Sequence, residues 1–185
     1  MIEELKIEVS KLATKTIFSP DLSSVSDKNW EKILEVFNHD YKRYYDSSID
    51  VIKIKYFPGL LATLLYRISR TLFLEGDEKN AMEFSSMGTA LTAIEIYFSA
   101  EIGIGLKLNH GIGTVIGSRT KVGDNVLLHH SVTLGEKNGG RATIGNNVII
   151  YPGAIIVGNI NIGDNSIVGA NIFVDKSYPE NSKIF

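Results

Sequence analysis

The chain of 185 residues predicts an α+β fold in two unlike halves. Residues 1–93 form a helical N-terminal domain, and residues 94–185 a parallel β-helix of hexapeptide repeats. Three observations carry this. Apolar residues recur at helical spacing in the first half, an aliphatic recurs every sixth residue in the second, and that six-residue register is broken twice by short glycine-bearing insertions.

In the first half, Ser26–Asp27 supplies a helix start, and Trp30, Ile33, Leu34 and Phe37 follow at i, i+3, i+4 and i+7. A second helix begins near Pro58–Gly59, carries a stripe of leucines from Leu60 through Ile68 to Leu72, and stops at Gly76. Asp77 caps a third helix running through Ala81, Phe84, Met87 and Leu91. The stretch YKRYYD, Tyr41 to Asp46, shows no assignable period.

From Ile96 the period changes to six. Aliphatics stand at Ile96, Ile102, Leu108, Ile116, Val122, Leu128, Leu134, Ile144, Ile150, Ile156, Ile162, Val168 and Val174. Four residues after many of them comes a small or β-branched residue, as at Ala100, Ile112, Thr120, Val126, Val132 and Ala154. Glycine often follows the aliphatic directly, as at Gly103, Gly123 and Gly145. Three hexads make one triangular coil, with coils stacked ~4.8 Å apart. The aliphatic and the small residue should point inward, and the turn glycines should supply positive φ. A triangular prism with exposed faces favours three-fold self-association.

Composition narrows the functions available. A net charge of −2 leaves no basic footprint for nucleic acid or an anionic membrane. No apolar run approaches the ~20 residues of a membrane span, and MIEELKIEVSKLATK lacks the apolar core of a signal peptide. The absence of cysteine excludes disulfides and thiolate chemistry. A cytoplasmic protein is expected.

The two breaks locate the candidate site. Leu108 to Ile116 is a step of eight, so HGIGTVIG carries two extra residues; Leu134 to Ile144 is a step of ten, so GEKNGGRAT carries four. Stacked repeats accept insertions at coil corners, where they protrude and form binding surfaces. Leu128 lies three hexads beyond Leu108, which places Asn109 near His129 and His110 near His130. Three of the four histidines should therefore share one edge. His129 and His130 are adjacent on one strand and point to opposite faces, so a shared zinc is disfavoured and no metal is expected.

The segments YFPGLLATLLYRISRTLFLEG, IEIYFSAEIG, LNHGIGTVIG, SVTLGE, IGNNVIIYPGAIIVG and SIVGANIFVDKSYPENSKI together resemble the serine acetyltransferase family of hexapeptide-repeat acyltransferases. The resemblance implies a left-handed β-helix and transfer of acetyl from acetyl-CoA to a hydroxyl. His110 matches the family's catalytic histidine and Glu95 the carboxylate that orients it. It implies acceptor contacts from Asn109, Arg141 and His130. Backbone contacts to the CoA arm would come from Gly135, Ala154 and Ala170, with Lys176 near the nucleotide phosphates. The family's Asp-His is Asn109–His110 here, and its Arg-His-Pro is read as Arg141–Ala142–Thr143. Those departures admit a sugar or surface-polysaccharide hydroxyl as acceptor in place of serine. A non-catalytic trimeric binding module is a third alternative. The family packs trimers through the helical domain, so a homotrimer or a dimer of trimers is expected. The chain reaches Phe185 just after its last hexad, whereas members that dock onto cysteine synthase use a longer tail, so that complex is not expected.

Overall fold

The computed structural model describes residues 1–185 as a helical cap set against a three-sided β-solenoid. The cap contains α1 (Ile2–Ala13), α2 (Asp27–Lys42), α3 (Val51–Tyr56), α4 (Pro58–Leu74) and α5 (Glu78–Thr92). The expected helices are α2, α4 and α5, and their start signals act as anticipated. Ser26 accepts from the Asn29 N–H, Pro58 occupies the first turn of α4, and Asp77 accepts from the Asn80 N–H. Gly76, at φ 89°, ends the α4 run, and Ala93, at φ 54°, ends α5. Two helices are additional. α1 buries Leu5 and Val9, one helical turn apart, and α3 is a six-residue helix capped by Asp50 that buries Val51 and Ile54.

The second half folds into fifteen short strands, all but one of which form three parallel sheets. β1 (Glu95–Ile96), β2 (Glu101–Ile102) and β3 (Lys107–Asn109) make the first coil. β4 (Val115–Ile116), β5 (Lys121–Val122) and β6 (Leu127–His129) stack on them residue for residue: Glu95 on Val115, Glu101 on Lys121, Asn109 on His129. The register continues through Val174 and Ile184. Every hexad aliphatic is buried except Ile102, which packs partly buried against the same core.

Two expectations are corrected. The glycines that follow the aliphatics do not take positive φ; Asn125, Asn147 and Asn165, two residues later, do so at 56–58°. Asparagine tolerates that region because its short polar side chain bonds locally. The glycines are required by crowding instead: a Cβ on Gly123 would lie 2.8 Å from the carbonyl carbon of Gly145 in the next coil. Ile112, expected to point inward, is exposed, and Thr114 is the buried residue at that corner.

The halves are joined by a buried ion pair. Arg67 of α4 donates to both carboxylate oxygens of Asp40 of α2 at 2.9 and 3.0 Å, and to the carbonyls of Ile102 and Gly103. Asp40 also accepts from the Leu106 N–H at 2.8 Å. Burial raises the Asp40 carboxyl above its ordinary range against the opposing pull of Arg67. Apolar packing crosses the same boundary, with Ala62 and Tyr66 in the solenoid core and Phe98 in the helical one.

Candidate active site

The first insertion reshapes the corner between β3 and β4. In later coils this corner follows one pattern, with the Ser131 N–H donating to the Ile112 carbonyl, Gly153 to His130 and Asn171 to Pro152. Ile112, His130 and Pro152 are therefore equivalent, and the residues added to the first coil are His110 and Gly111. The expected pairing of His110 with His130 is corrected accordingly: His130 stacks on Ile112. The left-handed positions of the corner are Gly113, Ser131, Gly153 and Asn171, and His110, at φ 51°, stands outside that ladder. A histidine in this region is uncommon, and the insertion places its exposed side chain on the rim of the prism.

Asn109 and His129 meet as the register requires, with the Asn109 amide 3.3 Å from His129 Nδ1. The His129 ring stacks on Tyr151 at 5.2 Å with an 11° interplanar angle. Burial, then the charges of His130 and His110, lower its pKa. The three histidines thus share one electrostatic neighbourhood.

A cavity of about 470 Å³ opens beside His110. One wall is the β3 corner from Lys107 to Ile112. The other is aromatic, formed by Tyr44, Tyr45, Tyr56 and Phe57 with Pro58 and Gly59. Tyr44 fixes the two walls together. Its hydroxyl donates to the Leu108 carbonyl at 2.9 Å and accepts from the Leu108 N–H at 2.7 Å. Burial pushes the Tyr44 phenol well above its usual range, so it stays protonated for this role. Gly59 permits the approach, because a Cβ there would lie 2.6 Å from the Leu108 carbonyl oxygen.

The other candidate residues are placed as follows. Glu95 lies on β1, in the same coil as His110, where the Gly113 N–H donates to the Ala93 carbonyl at 2.8 Å. Its side chain shares no hydrogen bond with His110, and it lines a separate cavity against α5 with Ser85 and Thr89. Arg141 is folded back onto the solenoid: Nε donates to the Ser118 carbonyl of the preceding coil at 2.8 Å, and Nη1 lies 3.3 Å from Glu136. The four-residue insertion that carries it forms a hairpin, β7 (Thr133–Lys137) with β8 (Gly140–Arg141), turned by Asn138–Gly139 with both φ positive. Ala142 faces the solenoid core at 1% exposure, so its position cannot present a side chain to an acceptor. The notion that alanine there removes an acceptor contact is corrected. Gly135 sits on β7, Ala154 is buried at a corner, and Ala170 is exposed on the equivalent corner one coil later. Lys176 is exposed, 5.5 Å over the Tyr178 ring. No three His, Cys, Asp or Glu side chains are grouped so as to hold a metal ion. No helix is long and apolar enough to cross a membrane.

The aromatic wall and Lys107 escaped sequence reasoning. For Tyr44 and Tyr45 the signal was present in YKRYYD, where the helical period ends after Tyr41 because α2 stops at Lys42.

Coils of hexads interrupted by a histidine-bearing corner define a hexapeptide-repeat acyltransferase. Residues 141–171 match the bacterial transferase hexapeptide (six repeats) family. The serine acetyltransferase of Helicobacter pylori (strain 26695) is 38% identical over 130 residues, covering 68% of this chain and 76% of that protein. That of Staphylococcus aureus (strain Mu50) is 37% identical over 142 residues, covering 75% and 66%. Among solved structures, serine acetyltransferase isoform 3 of Entamoeba histolytica in complex with cysteine superposes with a TM-score of 0.78 at 28% identity, over 85% of this chain and 59% of that one. The Neisseria gonorrhoeae enzyme in complex with serine gives 0.74 at 33% identity, over 83% and 66%. The chain therefore spans somewhat less than two-thirds of the length of these structural neighbours. It belongs to the serine acetyltransferase family.

Proposed function

We propose that this chain transfers the acetyl group of acetyl-CoA to an acceptor hydroxyl, with His110 as general base. The observation that carries the reading is an exposed imidazole, held at left-handed φ by a two-residue insertion, at the mouth of a cavity. An alcohol is a poor nucleophile at neutral pH, so His110 takes its proton as the oxygen attacks the thioester carbon, then returns that proton to the departing thiolate. Glu95, on β1 of the same coil, is the candidate carboxylate for orienting His110, a role that rests on the resemblance. Gly135 on β7 and the corners at Ala154 and Ala170 are candidates for main-chain contacts to the CoA arm, and Lys176 for its phosphates.

L-Serine, named in the relatives' activity, is the first acceptor to assay, and Asn109 beside the base also admits hydroxyls that carry no ammonium. Exposed Tyr151, Ile155 and Phe173 support association of prisms into a homotrimer. The test is release of CoA thiol by the purified protein with an acceptor panel. His110→Ala is expected to lower the rate by roughly 10²–10⁴-fold. An unchanged rate in that variant overturns the reading.

A further inference from the structure

Asn109 directly precedes the base, and its side chain is held from the next coil. Asn109 of β3 pairs in register with His129 of β6, so both side chains leave the same face of one sheet. Each is half-buried. The His129 ring is in turn stacked at 5.2 Å on Tyr151, one coil further on, which fixes its plane. Within this ladder the Asn109 amide nitrogen lies 3.3 Å from His129 Nδ1. A ring nitrogen accepts a hydrogen bond only where it carries no hydrogen, so the contact requires a neutral His129 protonated on Nε2. Burial, then the charges of His130 and His110, favour the neutral ring.

A primary amide has two unlike ends, an NH2 that donates and an oxygen that accepts. With the nitrogen of Asn109 committed to His129, the end left over is Oδ1. It accepts no hydrogen bond from the protein and is open to solvent. Asn109 also lines the His110 cavity. An oxygen presented there receives a hydrogen bond from an ammonium, as on serine, or from a second hydroxyl. The NH2 end would meet an ammonium donor to donor. A hydrogen on Nδ1 would reverse the arrangement, drawing Oδ1 onto the ring and turning the NH2 outward. The identity of the residue one coil away thus decides which end of Asn109 a substrate meets.

We propose that His129 is a positioning residue for the acceptor: it accepts from Asn109 Nδ2 and so presents Asn109 Oδ1 to a donor group of the molecule whose hydroxyl His110 deprotonates. This rests on the reading of His110 as the base and of Asn109 as an acceptor contact. A carboxylate at position 109 would show an oxygen whichever way it turned and would need no such partner. The carboxamide does need one.

The experiment uses the full chain with acetyl-CoA and the member of the acceptor panel it turns over best, reading thiol release. His129→Phe keeps an aromatic ring beside Tyr151 but offers no hydrogen-bond acceptor. It should raise KM for the acceptor about ten-fold, with kcat and KM for acetyl-CoA held within about two-fold. In the Asn109→Asp background the same His129→Phe change should move KM for the acceptor by less than about two-fold, since a carboxylate has no wrong end. An equal rise in both backgrounds, an unchanged KM in His129→Phe, or a fall in kcat alone overturns the proposal and leaves acetyl transfer standing. No thiol release with any acceptor overturns the acetyl-transfer reading itself, and this proposal with it. Nitrogen-15 NMR of the wild-type chain near pH 8 decides the matter even if the variants fold poorly. His129 Nδ1 should resonate as a ring nitrogen without hydrogen and Nε2 as an N–H; the opposite tautomer overturns the proposal.

Discussion

The first coil of the solenoid turns two corners that solve opposite problems. At the corner between β2 and β3, Arg67 takes up the carbonyls of Ile102 and Gly103 and Asp40 takes up the Leu106 N–H. There the helical cap plugs the backbone, and the side chains that do so are buried. At the corner between β3 and β4 two residues are added, and His110 projects to solvent without a side-chain hydrogen bond. The same cap approaches, through Tyr44, but stops at Leu108 and leaves a cavity. A polar group fully committed to its neighbours holds the fold, whereas one left uncommitted at a strained position is free to work on a substrate.

Substitution at each corner separates these roles. His110→Ala should show the largest effect, a loss of roughly 10²–10⁴-fold in kcat with an unchanged thermal unfolding midpoint. A large drop in that midpoint would show His110 to be structural and erase the contrast. At the other corner, Asp40→Ala or Arg67→Ala should cost about 3–5 kcal/mol of stability, because each leaves a buried charge unpaired. Urea unfolding checks this. The double variant Asp40→Leu/Arg67→Met should be less destabilised than either single one, since it removes the desolvated charges together.

The contrast also explains what the sequence made legible. A hexad admits one kind of residue at its inward position, so Ile116, Leu128 and Ile150 announced the coils, and a step of eight announced the corner that bears His110. Cap signals were equally local, as at Ser26 and Asp77. The tertiary partners were not local. Tyr44 and Leu108 are 64 residues apart, and nothing in the spacing of either predicts a tyrosine hydroxyl bonded to a strand's backbone. Arg141 and Ala142 show the converse limit. Their sequence neighbourhood placed both at a binding loop, but a two-residue Asn-Gly turn folds Arg141 back onto Ser118 and sends Ala142 into the core.

Tyr44 lies between the two regimes and sharpens the comparison. Tyr44→Phe removes one hydroxyl and leaves the N–H and the carbonyl of Leu108 unpaired, which should cost about 1–3 kcal/mol. Leu108 directly precedes Asn109 and His110, so kcat should fall while KM for acetyl-CoA holds. If stability falls with kcat intact, Tyr44 is a bolt of the same kind as Arg67 and positions nothing.

The smallest effect tests the electrostatics of the open corner. His129 has its pKa lowered by burial, then by His130 and His110. Above pH ~6.5 it is neutral in both folded and unfolded chains, so its contribution to stability is fully present. As the pH falls below that, the unfolded chain binds a proton that the native one resists, and the contribution is lost through the folded pKa. The Asn109 amide, which donates to Nδ1, would also lose its acceptor on protonation there. His129→Asn cannot titrate, so the stability difference between wild type and variant should be greatest above pH ~6.5 and shrink below it. Unfolding midpoints from pH 8 to pH 5 measure this difference. A constant offset across that range would mean that the histidines at the open corner are as electrically isolated as the asparagines of the regular corners, and the distinction between the two would then rest on His110 alone.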